Sequence, residues 1–146
     1  MISLDTYIDN TAYASIASVR EAKQTFEQAK EAGDDCLDEK LAYARRILNV
    51  KLHKHYQDEP LETSWRGFAE SVLDVHPDYA TRLAKWAYVY EVLMAGTGSA
   101  PSTPYTARPF AKLSPTDMIQ AWTDLREDVG QDDISYNKAR DYIHDM

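Results

Sequence analysis

Between residues 65 and 93 apolar side chains recur three and four apart on both sides of a single break, Asp74-Val75-His76-Pro77. Trp65, Phe68, Ala69, Val72 and Leu73 precede the break, and Ala80, Leu83, Ala87, Tyr90 and Leu93 follow it. That spacing puts each set on one face of a helix. Pro77 cannot sit inside the preceding helix, because it lacks an N–H and its ring clashes with the previous turn, but it suits the first turn of a new helix. The pattern predicts two helices, over 65–73 and 77–94, joined by a tight turn and opened by a cap at Thr63 or Ser64. This is the outline of a helix-turn-helix, whose second helix must bury one stripe and expose a polar one. Leu73, Val75, Ala80 and Leu83 take the apolar places. The turn position often filled by glycine is Asp74, a residue type that tolerates the left-handed conformation better than most. The other reading of the same pattern is a pair of packed helices in a bundle.

The helical period extends through the rest of the chain, and no segment reads as a strand. Over residues 5–32, Ile8, Ala12, Ser15, Val19, Ala22, Phe26 and Ala29 form a heptad-like seam of mostly small residues. Ile8, Ala12, Val19 and Phe26 are the expected dimerisation contacts. Gly33 is a helix C-cap, and Asp34 or Asp35 caps a second helix over 36–56 with Leu37, Leu41, Ala44, Leu48 and Leu52 as its apolar stripe. The short connection predicts an antiparallel hairpin. Residues 96–109, GTGSAPSTPYTARP, read as a loop. Ser114-Pro115 then opens a helix carrying Met118, Ile119, Trp122 and Leu125, and a last helix over 135–144 presents Tyr136, Ala139, Tyr142 and Ile143. Trp65, Trp86 and Trp122 are expected core anchors. The expected fold is all-α: a helical hairpin plus helix-turn-helix over 1–95, a linker over 96–109 and a C-terminal helical module over 110–146. At 146 residues these parts fit one compact domain.

Charge sharpens the functional question. The net charge is −8, which argues against general binding of nucleic acid, since that rests on Lys and Arg neutralising phosphates. The distribution is uneven, however. Residues 1–39 carry 9 acidic and 3 basic side chains, whereas 40–55, KLAYARRILNVKLHKH, carry 5 basic and no acidic ones. Arg45, Arg46, Lys51 and Lys54 are expected to track a phosphate backbone, or else to pair with the acidic residues across the hairpin. His76, Asp78, Tyr79, Thr81, Arg82 and Lys85 fall on the exposed side of the second helix of the motif, near its start. Arg and Lys suit guanine edges or phosphates, and Thr and Tyr suit phosphates or thymine. Thr81 and Arg82 are the expected base readers.

Other chemistries find little footing. His53 and His55, two apart, lie on different sides of a helix, and there is no Cys pair and no HExxH, so no metal site is expected. The stretch GTGSAPS lacks the lysine of a phosphate-binding loop, and no GxSxG elbow exists. No catalytic residue, enzyme activity or cofactor is expected. Cys36 lies beside a helix start, where a thiolate would be stabilised, but a lone cysteine cannot form an internal disulfide and fits a reducing cytoplasm. The opening MISLDTYIDN shows no signal peptide, and no apolar run approaches the roughly 20 residues that span a bilayer.

Over residues 45–146 the order of parts resembles small helix-turn-helix proteins encoded by phages and plasmids. The phrases that carry the resemblance are KLHKHYQDE, then WRGFAESVLDVHPDYATRLAKWAYVYEVL, then PSTPYTARPFAKLSPTDMIQAWTDLRED, then ISYNKARDYI. The most specific elements are Arg108-Pro109-Phe110 and Leu113-Ser114-Pro115, with Trp122 after them. The resemblance implies a DNA-binding protein of a mobile element, regulating transcription, replication or partition in a bacterial cytoplasm, with the helix near Pro77 entering a major groove. Duplex DNA and a second copy of the chain are the expected partners, since one helix in one half-site rarely suffices. The alternative is an acidic module that occupies a host protein. It would use Glu21, Glu27, Glu31, Asp34, Asp35, Asp38 and Glu39 together with Asp124, Glu127, Asp128, Asp132 and Asp133. A small virion or assembly component is a third possibility.

Overall fold

Five helix starts among the described residues are capped by a polar side chain, and three of these caps are followed directly by proline. In the computed structural model, which describes residues 16–33, 36–57 and 61–146, seven α-helices follow one another among the described residues. They are α1 (Ile16–Glu31), α2 (Leu37–His53), α3 (Trp65–Phe68), α4 (Pro77–Thr97), α5 (Pro104–Ala107), α6 (Pro115–Val129) and α7 (Tyr136–His144). No strand occurs among the described residues, so the protein is all-α.

Ser64 accepts a hydrogen bond from Gly67 N at 3.0 Å and opens α3. His76 Nδ1 accepts from Asp78 N at 3.1 Å and opens α4. Thr103, Ser114 and Ser135 cap α5, α6 and α7 in the same way, accepting from Thr106, Asp117 and Lys138 N at 3.2 Å each. Pro77, Pro104 and Pro115 follow three of these caps, where a missing N–H costs no helical hydrogen bond. Each cap contributes about 1 kcal/mol.

The break between α3 and α4 has its own geometry. After one α-turn the backbone widens into a π-helical turn, Ala69–Leu73. Asp74 then adopts φ 54°, ψ 46°, and the Val75 amide reaches back to Ala69 O at 3.1 Å. This left-handed residue reverses the chain, and the N-cap of α4 follows two residues later.

One continuous core joins all the helices. α2 lies between α1 and α4 and packs on both. Its deepest residues are therefore Leu41, Tyr43, Ala44, Ile47 and Val50, and the stripe expected from spacing alone is incomplete, with Leu37, Leu48 and Leu52 only half-buried. Contacts between α1 and α2 run in opposite directions: Ser18 meets Arg46, and Phe26 stacks on Tyr43 with centroids 6.1 Å apart. Val19, Ala22 and Phe26 are thus buried within the chain. Val19 and Phe26, expected as dimer contacts, are buried in the single chain, Phe26 against Tyr43 of α2. Ile8 and Ala12, the other two expected contacts, lie outside the described residues.

The segment 96–109 departs from the expected linker. It contains α5 and leads into a 3-10 helix, Arg108–Lys112, and Ala107, Pro109 and Phe110 are buried. Trp86 donates to Pro101 O at 3.0 Å and Trp122 donates to Ser99 Oγ at 2.9 Å. Two buried indoles therefore pin this segment across the seam between α4 and α6. Gly98, at φ 81°, closes α4 with its amide on Met94 O.

Candidate nucleic-acid interface

The exposed side of α4 carries fewer available groups than its sequence promises. His76 and Asp78 are exposed, but the His76 ring nitrogen serves as the helix cap, and Asp78 places a carboxylate where it suits the positive helix end rather than a phosphate. Tyr79 is half-buried against the core, and burial raises its hydroxyl pKa. Thr81 Oγ1 accepts from Trp65 Nε1 at 3.0 Å. Thr81 therefore holds α3 against α4 rather than facing a base edge. Arg82 and Lys85, three apart and hence on one face, are the exposed cations that remain.

The basic run divides in the same way. Arg45 forms an ion pair with Glu91 and lies over the Tyr90 ring, 5.8 Å from its centroid. Arg46 turns toward α1, donating to Ser18 Oγ at 2.8 Å and to Ala42 O at 3.1 Å. Both guanidinium groups are taken up by the fold and leave the expected phosphate track. Lys51 is placed differently. Its ammonium sits 5.1 Å from the Trp65 centroid, and its pKa is lowered by burial and then by the neighbouring charge of Lys85. Lys51 of α2 thus stands on the Trp65 ring that Thr81 of α4 holds, within electrostatic range of Lys85 one turn further along α4. Lys54, exposed and left-handed at φ 54°, closes α2 just beyond Lys51.

Lys85 also forms part of a feature with no signal in the local sequence pattern. A cleft of about 260 Å³ lies between α4, the 3-10 helix Arg108–Lys112 and α7, and its charged lining is Lys85, Arg108, Lys112 and Arg140. Among the described residues no acidic side chain lines it. Arg140 is partly neutralised by its neighbour Asp141 at 3.1 Å and lies 5.7 Å from the Tyr136 centroid. Lys85, Arg108 and Lys112 form no ion pair among the described residues. Tyr136 lines the cleft and stacks on Tyr105, with centroids 4.5 Å apart and ring planes 23° from parallel.

A second groove, about 290 Å³, lies between α1 and α2 and has the opposite character, with Glu21, Asp38 and Glu39 beside Arg46. On α2, Asp38 and Arg46 project about half a turn away from Lys51 at 100° per residue. The helix therefore separates an acid-lined groove from the cationic face.

Among the described residues no group of three or more His, Cys, Asp or Glu is placed to hold a metal ion, and no helix is long and apolar enough to cross a membrane. Cys36 is half-buried with a free thiol. No protein-family model, curated protein or solved structure matches the chain.

Proposed function

We propose that this protein is a DNA-binding protein of a mobile element, acting in transcription, replication or partition. In this reading α3 and α4 form a helix-turn-helix and α4 lies along a duplex groove. The observation that carries it is the cationic face where Lys51 of α2 lies 5.1 Å from the centroid of the Trp65 ring bound to Thr81, with Arg82 and Lys85 exposed on α4 just beyond. Holding like charges together costs free energy in the free protein, and a polyanion offsets that cost. Lys51, Arg82 and Lys85, with Lys54 beyond them, contact phosphates, and Arg82 is the side chain placed to reach a base edge. Thr81, Arg45 and Arg46 support the fold. Self-association as a dimer would supply a second half-site, and the resemblance to phage and plasmid helix-turn-helix proteins points the same way. The experiment is an electrophoretic shift with the duplex upstream of the protein's own coding sequence, over a series of salt concentrations. Binding that weakens steeply with salt supports the proposal, and absence of a shift at low salt refutes it.

A second reading, capture of a host protein by an acidic surface, is favoured by the groove where Glu21, Asp38 and Glu39 converge. Recovery of a host protein whose binding is lost in Glu21→Gln/Asp38→Asn, with no duplex binding, would select it.

A further inference from the structure

We propose that the cleft between α4, the 3-10 helix Arg108–Lys112 and α7 is a nucleotide site that holds a terminal phosphate while the base stacks on Tyr105. The site shares Lys85 with the duplex-binding face but does not rest on duplex binding. Three observations converge on it.

The first is charge. Lys85, Arg108, Lys112 and Arg140 line one small cleft in a chain of net charge −8, and among the described residues only Arg140 has an acidic partner. A terminal phosphate carries about 1.5 to 2 negative charges at neutral pH and presents three acceptor oxygens, which suits such a cluster better than the single charge of a backbone phosphodiester. The Arg108 guanidinium supplies planar, paired donors that match phosphate geometry, while Arg140, whose Nε and Nη2 donate to Asp141, adds charge at the cleft wall.

The second is size. At about 260 Å³ the cleft is smaller than the roughly 300–1,000 Å³ of sites that enclose a whole small molecule. It has room for a phosphate and part of a sugar, so the rest of the ligand must lie outside.

The third is what stands at the rim. Tyr105 is 62% exposed, one of the few large apolar side chains left in solvent among the described residues, yet it is held in place by stacking on Tyr136, which lines the cleft. α5 positions it, fixed by the Thr103 cap and Pro104. An ordered, outward-facing aromatic ring beside a cationic cleft is the arrangement that binds unpaired bases, because every base offers a π-face.

The phosphate could belong to a free nucleotide or to the 5′ end of a strand. Calorimetric titration of the whole protein separates these sources with five probes: inorganic phosphate, deoxyadenosine, deoxyadenosine monophosphate, and an eight-nucleotide single strand with or without a 5′-phosphate. Deoxyadenosine monophosphate is expected to bind at least about fivefold more tightly than phosphate or the nucleoside alone. Tyr105→Ala should abolish the advantage over phosphate and leave phosphate binding intact. Arg108→Gln/Lys112→Gln should weaken both by at least tenfold. Both arginine and lysine are exposed, so these variants are expected to keep the wild-type unfolding temperature, and Lys112→Gln alone provides a milder version. A 5′-phosphorylated strand that binds more tightly than the mononucleotide and than its unphosphorylated counterpart identifies a strand end; the reverse order for the mononucleotide identifies a free nucleotide. The proposal is overturned if the mononucleotide binds no better than phosphate, or if binding is unchanged in the Tyr105 or Arg108/Lys112 variants. Duplex binding measured in parallel is expected to survive Tyr105→Ala, so the two proposals fail separately.

Discussion

The Trp65 indole donates to Thr81 Oγ1 at 3.0 Å, and this one bond fixes the first helix of the corner against the second. The same ring carries Lys51 on its face at 5.1 Å. Trp65 therefore joins α2, α3 and α4, and it holds the Lys51 charge beside α4. Thr81→Val keeps the shape and removes the acceptor. It should lower stability by about 1 kcal/mol, because the half-buried indole N–H loses its partner. Urea unfolding with an unchanged denaturant slope is the check. Duplex affinity should change little, whereas a base-reading threonine would make Thr81→Val alter sequence preference.

Asp74 makes the turn into α4 with φ 54°, in the position where such turns often use glycine. It is exposed, and it is one of three non-glycine residues at positive φ among those described. Asp74→Gly should be neutral or raise stability by up to about 1 kcal/mol, since relief of left-handed strain is opposed by the extra freedom glycine has when unfolded. Asp74→Ala should destabilise by about 1 kcal/mol. Equal unfolding midpoints for the two variants would contradict a left-handed residue at this corner.

Tyr43 is 1% exposed, and its hydroxyl has no hydrogen-bond partner among the described residues. Removing an unsatisfied buried hydroxyl while keeping the ring on Phe26 should stabilise, so Tyr43→Phe is expected to gain about 1 kcal/mol. Burial pushes the Tyr43 hydroxyl well above its ordinary value of 10.0. The unfolded chain therefore releases this proton first as pH rises. The folded state's advantage is intact below about pH 10 and declines above it, by up to about 1.4 kcal/mol per pH unit for one proton. Tyr43→Phe should flatten that decline. Tyr79 and Tyr88, also raised by burial, should keep it from vanishing.

The legible parts of this fold are those written in local chemistry. Ser114-Pro115 and His76-Pro77 announce helix starts because a cap and a proline act on the residues beside them. Thr103-Pro104 carries the same signal, but the prolines and glycines around it make 96–109 look like a loop. What orders that segment is tertiary: Trp86 and Trp122 reach its carbonyl and hydroxyl groups from other helices. The seam of Val19 and Phe26 is visible as an apolar face, but spacing does not say whether the partner belongs to the same chain; here it is α2. The functional face divides likewise. Arg45, Arg46 and Lys51 look equivalent along the basic run, and only packing against Glu91, Ser18 and Trp65 separates them. The cleft of Lys85, Arg108, Lys112 and Arg140 has no local signature, because its members come from three elements distant in sequence.

The most direct test of the DNA-binding account is the salt dependence of duplex affinity, followed by fluorescence anisotropy, for the wild type, Arg45→Gln/Arg46→Gln and Lys51→Gln/Arg82→Gln/Lys85→Gln. Each phosphate contact contributes about 0.9 to the slope of log affinity against log salt on duplex DNA. The triple variant should bind weakly and lose about 3 from the slope, while the Arg45/Arg46 pair should keep the wild-type slope once its lower stability is matched by temperature. Contradiction would be a wild type that binds no duplex at about 50 mM salt, or a slope that falls with Arg45 and Arg46 and is indifferent to Lys51, Arg82 and Lys85.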